Sequence, residues 1–145
     1  MWRLVLALPL LLLTACGPQA DAKAVVDVFL SSREVRDVDS AMSVMAPNAS
    51  MRAPNELQYK GVEQIRQWLQ NTLNDYTFEL AEAPRVAGDR VSWRDNLYSQ
   101  DGVRWVGEIE WHAAVAALKI ASVQGKVVRG ASGVICPRCP PGTRI

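Results

Sequence analysis

Glu82 and Asp95 are the two carboxylates of this sequence whose placement suits acid–base chemistry. With Gly88-Asp89 as a two-residue hairpin turn, Val86 faces Val91, Pro84 faces Trp93, Glu82 faces Asp95 and Leu80 faces Leu97, all on one side of the ribbon. That side is mostly apolar and reads as the core side. Two carboxylates opposed there, shielded from water, would share a proton, one serving as acid and the other as base. A bulge that turns one of them outward, or a wet position at the mouth of the fold, would dissolve the pair.

The lone histidine, His112, is a weaker candidate. Unbroken pairing through an Asp101-Gly102 turn matches Leu97 with Val106, Asp95 with Glu108 and Val91 with His112, which sends Glu108, Glu110 and His112 into the core. A core does not tolerate that much charge. A bulge at Gly107 reverses the phase, so that Ile109 and Trp111 point inward and His112 faces solvent, and this is the arrangement expected.

Cys136 and Cys139 lie in a tail rich in proline and glycine. Two cysteines are too few for a closed zinc site, and no histidine follows Cys139 as haem attachment requires. Pro140-Pro141-Gly142 is incompatible with the helix that a dithiol redox motif opens. A local disulfide, a pair of thiols and an interchain disulfide remain open, and neither a metal nor a cofactor is expected.

The third cysteine ends a different pattern. Arg3 is followed by an apolar run from Leu4 to Leu13, the layout of an export signal and too short to span a bilayer as a mature helix. Leu13-Thr14-Ala15-Cys16 resembles the lipobox of bacterial lipoproteins. The resemblance implies cleavage after residue 15, acylation of Cys16 with palmitate-type chains, and a protein held by lipid at the cell membrane or outer membrane, facing the periplasm or exterior. Two or three chains, at ~0.8 kcal/mol per buried methylene, anchor stably where one is marginal.

Around these residues the elements read as helices first and strands after. Removing residues 1–15 leaves a length that suits one domain with a single core. Gly17 to Lys23 is small and polar, a tether, so the expected organisation is signal 1–15, lipidated tether 16–23, domain 24–134 and Cys/Pro-rich tail 135–145. Sixteen basic and fifteen acidic residues are interspersed at a net charge of +1, without the basic stripe that nucleic acid demands. Helical spacing runs from Ala24 through Val25, Val28 and Phe29, again through Val38, Ala41, Met42 and Met45, and from Val62 through Ile65, Trp68, Leu69 and Leu73. Ala49 to Ala53 is a short extended piece before Pro54. Beyond Tyr76 the pattern is that of strands, with turns expected at Gly88-Asp89, Asp101-Gly102 and Gln124-Gly125. An α+β fold follows, three N-terminal helices packed as a cone on a curved antiparallel sheet.

Phe29, the run Asp37-Val38-Asp39 through Ala49, Tyr59-Lys60-Gly61 and Val123-Gln124-Gly125-Lys126-Val127-Val128 together resemble the nuclear transport factor 2-like superfamily over roughly residues 24–132. That superfamily includes ketosteroid isomerases, SnoaL-like polyketide cyclases, limonene epoxide hydrolases and non-catalytic binding domains. The resemblance implies an apolar cavity, lined here by Phe29, Trp68, Trp93, Leu97 and Trp111, and a homodimer through the outer sheet face. The three ketosteroid isomerase side chains fall at Phe29, at Ala53 and at Ala116 or Ala117, so tyrosine, base and protonated acid are all replaced. The epoxide hydrolases' Asp-Arg-Asp arrangement is not met by Arg94 and Asp95, which are adjacent and point to opposite faces. The reading is therefore a membrane-anchored SnoaL-like domain that is non-catalytic and binds a small apolar ligand or a protein partner. An enzyme using Glu82 and Asp95 and a structural module of an envelope assembly are the alternatives.

Overall fold

The computed structural model describes residues 18–130. Cys16, Cys136 and Cys139 lie outside that range. Among the described residues no helix is long and apolar enough to cross a membrane.

Helix α1, Pro18–Glu34, begins six residues ahead of the expected start, so residues 18–23 are helical rather than a tether. Proline suits a first helical position, Asp21 sits in the first turn where the helix dipole favours a negative charge, and Ala22 is already buried in the core. Its inner face presents Val25, Val26, Phe29, Leu30 and, one turn further, Arg33. The short α2, Val38–Ser43, is capped by Asp37, whose carboxylate accepts from the Ser40 hydroxyl (2.6 Å) and the Ser40 backbone N–H (3.0 Å). Those two donors hold the Asp37 pKa below the ordinary carboxylate value. Strands β1, Met45–Arg52, and β2, Gln58–Lys60, come next, and only then α3, Val62–Asp75, which buries Ile65, Leu69 and Leu73. The three helices thus do not form one N-terminal block.

Strands β3 (Tyr76–Ala87), β4 (Arg90–Ser99), β5 (Trp105–Ala116) and β6 (Lys119–Gly130) complete a curved, unclosed six-stranded sheet in the order β2-β1-β6-β5-β4-β3. It is mixed rather than antiparallel, because β1 runs parallel to β6, pairing Met51 with Val123.

The Gly88-Asp89 turn forms as expected, with Ala87 opposite Arg90 and Val86 opposite Val91. Farther along, β3 carries two irregularities, between Arg85 and Glu82 and between Glu82 and Leu80. They slip the register so that Glu82 lies opposite Arg94, and Asp95 lies opposite Leu80. In the β4–β5 pair the register breaks between Leu97 and Tyr98, leaving Val106 as the extra residue beside Gly107. The phase reversal follows: Ile109 and Trp111 are buried, Glu108 and Glu110 are partly covered, and His112 is exposed.

The turn expected at Gln124-Gly125 is absent, and β6 runs straight through it. The reversal instead occurs at Ala117-Leu118, both left-handed at φ 49° and 59°. Gly125 has a different task. A Cβ there would lie 2.5 Å from the Trp111 ring, so the indole occupies the space a side chain would need.

Candidate functional site

Alternation along β4 directs Val91, Trp93, Asp95 and Leu97 into the fold and Ser92, Arg94 and Asn96 outward. Asp95 has no solvent exposure. Its two carboxylate oxygens accept from the guanidinium of Arg33, Nη1 at 2.7 Å and Nη2 at 2.8 Å, and the indole Nε1 of Trp93 donates to the first of these oxygens at 3.1 Å. Arg33 is itself 6% exposed, and its guanidinium carbon lies 4.5 Å from the Phe78 ring centre. Arginine suits this place because its fork matches a carboxylate in two parallel bonds. Arg33 Nε and Trp111 Nε1 are buried without a hydrogen-bond partner among the described residues.

The expected Glu82–Asp95 pair does not form. The slipped register leaves Glu82 exposed on the outer face, where Arg85 Nη2 donates to it at 2.7 Å and Arg94 stands 3.9 Å away. Arg94 also approaches Glu108 and Glu110, at 3.5 and 3.4 Å. Arg94 and Asp95 point to opposite faces, and the guanidinium beside Asp95 comes from α1 instead.

Phe78, against which the Arg33 guanidinium lies, also lines a largely apolar cleft of about 390 Å³, walled further by Leu97, Val106, Ile109 and Val127 and bordered by Trp68. Of the five expected lining residues, Trp68 and Leu97 border it. Phe29, Trp93 and Trp111 are buried in the core instead. Trp93 stacks on Trp111 with centroids 6.2 Å apart, Phe29 meets Trp93 at 6.4 Å, and the edge of Trp68 meets Trp111 at 6.0 Å. The aromatic stack therefore fills the deep end of the cone. Ala53 lines the cleft, whereas Ala116 is exposed at the end of β5 and Ala117 is in the turn, so neither of these two stands at a cavity position. At the cavity-facing positions of β5 stand Val106, Gly107 and Ile109, none of which ionises.

A second cleft of about 430 Å³ adjoins the first along α3, with Asn55, Trp68, Thr72 and Tyr76 common to both. Tyr59 lines it, and partial burial raises its phenol pKa above 10. Among the described residues neither cleft is lined by histidine, cysteine, lysine or arginine. The carboxylates are Glu56, exposed on a left-handed turn, and Asp75 at the end of α3. No group of three histidine, cysteine or acidic side chains among the described residues is arranged to hold a metal.

Sequence reasoning missed Arg33, Val106, Val127, Asn55, Thr72 and Tyr76. Arg33 carries the helix-end signal of any terminal cation, and nothing local tells that its partner lies 62 positions away.

No protein-family model matches this chain, and no curated protein matches it. Solved structures do. A protein designated a ketosteroid isomerase from Kribbella flavida superposes with a TM-score of 0.65 at 13% identity, covering 88% of each chain. An NTF2-like protein of unknown function from Mesorhizobium loti gives 0.65 at 18% identity, over 77% of this chain and 93% of that one. The fold is nuclear transport factor 2-like. An LEH-like epoxide hydrolase from M. tuberculosis shares this NTF2-like fold at a TM-score of 0.63 and 16% identity, over 75% of this chain and 84% of its own. The neighbours thus include proteins designated isomerases and hydrolases, and the fold accommodates several chemistries.

Proposed function

We propose that this NTF2-like domain is a non-catalytic, lipid-anchored binding protein that holds a small apolar ligand outside the cytoplasm. One observation carries the binding reading: the cleft is walled mostly by aliphatic and aromatic side chains, while Asp95 does not line it and is buried in an ion pair with Arg33. A general base must come within hydrogen-bond reach of the proton it removes. Asp95 is spent on Arg33, and Glu82 faces away. The volume of about 390 Å³ lies in the range of small-molecule sites, which argues against a filled, purely structural core.

Anchoring rests on the lipobox-like Leu13-Thr14-Ala15-Cys16, and pairing of Cys136 with Cys139 is proposed for an oxidising compartment. A homodimer through the outer sheet face is proposed by analogy with the superfamily.

Thermal unfolding with medium-chain alcohols tests the binding reading. A ligand selective for the folded state raises the midpoint with concentration, and a midpoint indifferent to every apolar compound defeats the proposal. Fractionation tests the anchor: Cys16→Ser is expected in the soluble fraction, and a variant that stays membrane-bound defeats that part.

A further inference from the structure

An exposed apolar turn and the start of α1 lie at one end of the fold. The β5–β6 turn carries Ala117 and Leu118, both left-handed at φ 49° and 59°, where a two-residue hairpin turn ordinarily takes asparagine and glycine. Leu118 is 62% exposed, and Ala116 and Ala117 beside it are exposed as well. Side chains held in so unfavourable a conformation point to a function that rewards them.

Two contacts set the direction of α1. Arg33 meets Asp95, and one helical turn earlier Phe29 meets Trp93, so a step towards the α1 N-terminus is a step towards Arg90 at the start of β4. From Arg33 back to Ala22 is about 17 Å of helix, and from Asp95 back to Arg90 about 17 Å of strand, which brings the start of α1 to the level of the Gly88-Asp89 turn. That turn touches the β5–β6 hairpin, where the Val115 backbone N–H donates to the Asp89 carbonyl at 2.8 Å.

Only Gly17 stands between Cys16 and Pro18, so the chain allows at most about 7 Å between the residue read as acylated and the start of the helix. A lipid on Cys16 therefore brings this end of the domain to the bilayer. Val103, 81% exposed, lies at the opposite end, a β4 length of about 33 Å away. Charge near the two turns is balanced, Arg90 and Lys119 being answered by Asp89 and by Asp21 in the first turn of α1. The contact on offer is apolar. One leucine does not hold a protein on a bilayer, but an anchor keeps the turn at an effective concentration on the order of millimolar, where a weak contact is occupied.

We propose that the Ala116-Ala117-Leu118 turn docks on the lipid surface, Leu118 entering the headgroup boundary, so that the domain stands upright with its β4–β5 connection outward. The inference rests on the lipid-anchor reading above and adds an orientation and a contact to it.

The full lipidated protein, carrying Cys136→Ser/Cys139→Ser and reconstituted in phosphatidylethanolamine–phosphatidylglycerol vesicles, tests it through a fluorescent label at Leu118→Cys or Val103→Cys. The label at 118 is expected to be quenched by nitroxide-bearing lipid and to be severalfold less open to aqueous iodide than the label at 103. A label at Ala116→Cys should lose its lipid quenching when Ala117→Asn/Leu118→Gly is added, whereas proximity imposed by the anchor alone would leave it unchanged and overturn the contact. Vesicle-bound protein whose two labels are equally open to iodide overturns the docking and leaves the anchor standing. Shielding at 118 without lipid quenching places a second protein chain on the turn and also overturns it. A protein that does not float with the vesicles defeats both.

Discussion

Arg33 on α1 and Asp95 on β4, 62 residues apart, are joined by two parallel hydrogen bonds of 2.7 and 2.8 Å, and the carboxylate is wholly out of solvent. The pair ties the last turn of the first helix to the middle of β4. Removing one partner leaves the other charged and buried, so Arg33→Met should cost about 3–5 kcal/mol of folding stability. The double variant Arg33→Met/Asp95→Leu should recover most of the loss, because no charge is then stranded. Urea unfolding of the single and double variants checks this. A double variant no more stable than Arg33→Met would contradict it.

Gly125 and Trp111 give a second prediction. Gly125→Ala places a methyl 2.5 Å from the indole, which is locked between Trp93 and Trp68, so the ring cannot yield cheaply. A loss of about 1–3 kcal/mol is expected from overpacking, with an altered near-ultraviolet circular dichroism spectrum. An unchanged midpoint and spectrum would count against the stacked arrangement.

The Ala117-Leu118 turn places two residues with side chains in the left-handed region. Ala117→Asn/Leu118→Gly supplies the residue types that a two-residue hairpin turn prefers, and should raise stability by about 1–2 kcal/mol. Leu118 is 62% exposed, so little packing is lost with it. A lower denaturation midpoint in the double variant would contradict the assignment of the turn.

That turn also marks the boundary of what the sequence discloses. The hairpin at Gly88-Asp89 and helix α3 were legible because a turn dipeptide and a 3.6-residue stripe are local signals. The bulge beside Gly107 was legible because the alternative buried Glu108, Glu110 and His112. The two irregularities in β3 were not, since Ala81 and Ala83 fit either face and no side chain penalises a slip. Gly125 misled because a strand glycine made necessary by the distant Trp111 looks like a turn glycine. The parallel pairing of β1 with β6 and the Arg33–Asp95 contact are long-range, and residue type alone does not encode them. The cleft was half legible: its apolar wall could be expected from the fold, but which aromatic rings line it and which fill the core depends on the depth of each along its helix or strand.

Tyr59 predicts a pH dependence. Burial raises its pKa above the ordinary 10.0, so the folded protein favours the neutral phenol. The contribution is fully present below pH 10 and is lost as pH rises through the folded-state value, because the unfolded chain ionises first. Tyr59→Phe should therefore lose less stability than the wild type above pH 10 and show no such difference near pH 8. Denaturation midpoints at the two pH values check this, and identical alkaline losses would contradict it.

The central claim is that the cleft beside Phe78, Leu97, Val106 and Ile109 holds an apolar ligand and performs no chemistry on it. Native mass spectrometry of the protein purified from its own membranes, followed by organic extraction, tests it most directly. The account predicts one bound molecule per chain, removed by the solvent and recovered chemically unchanged after incubation with the protein. A chain that flies empty, with a thermal midpoint unmoved by any apolar compound, or a bound molecule that is converted to a product, would contradict it.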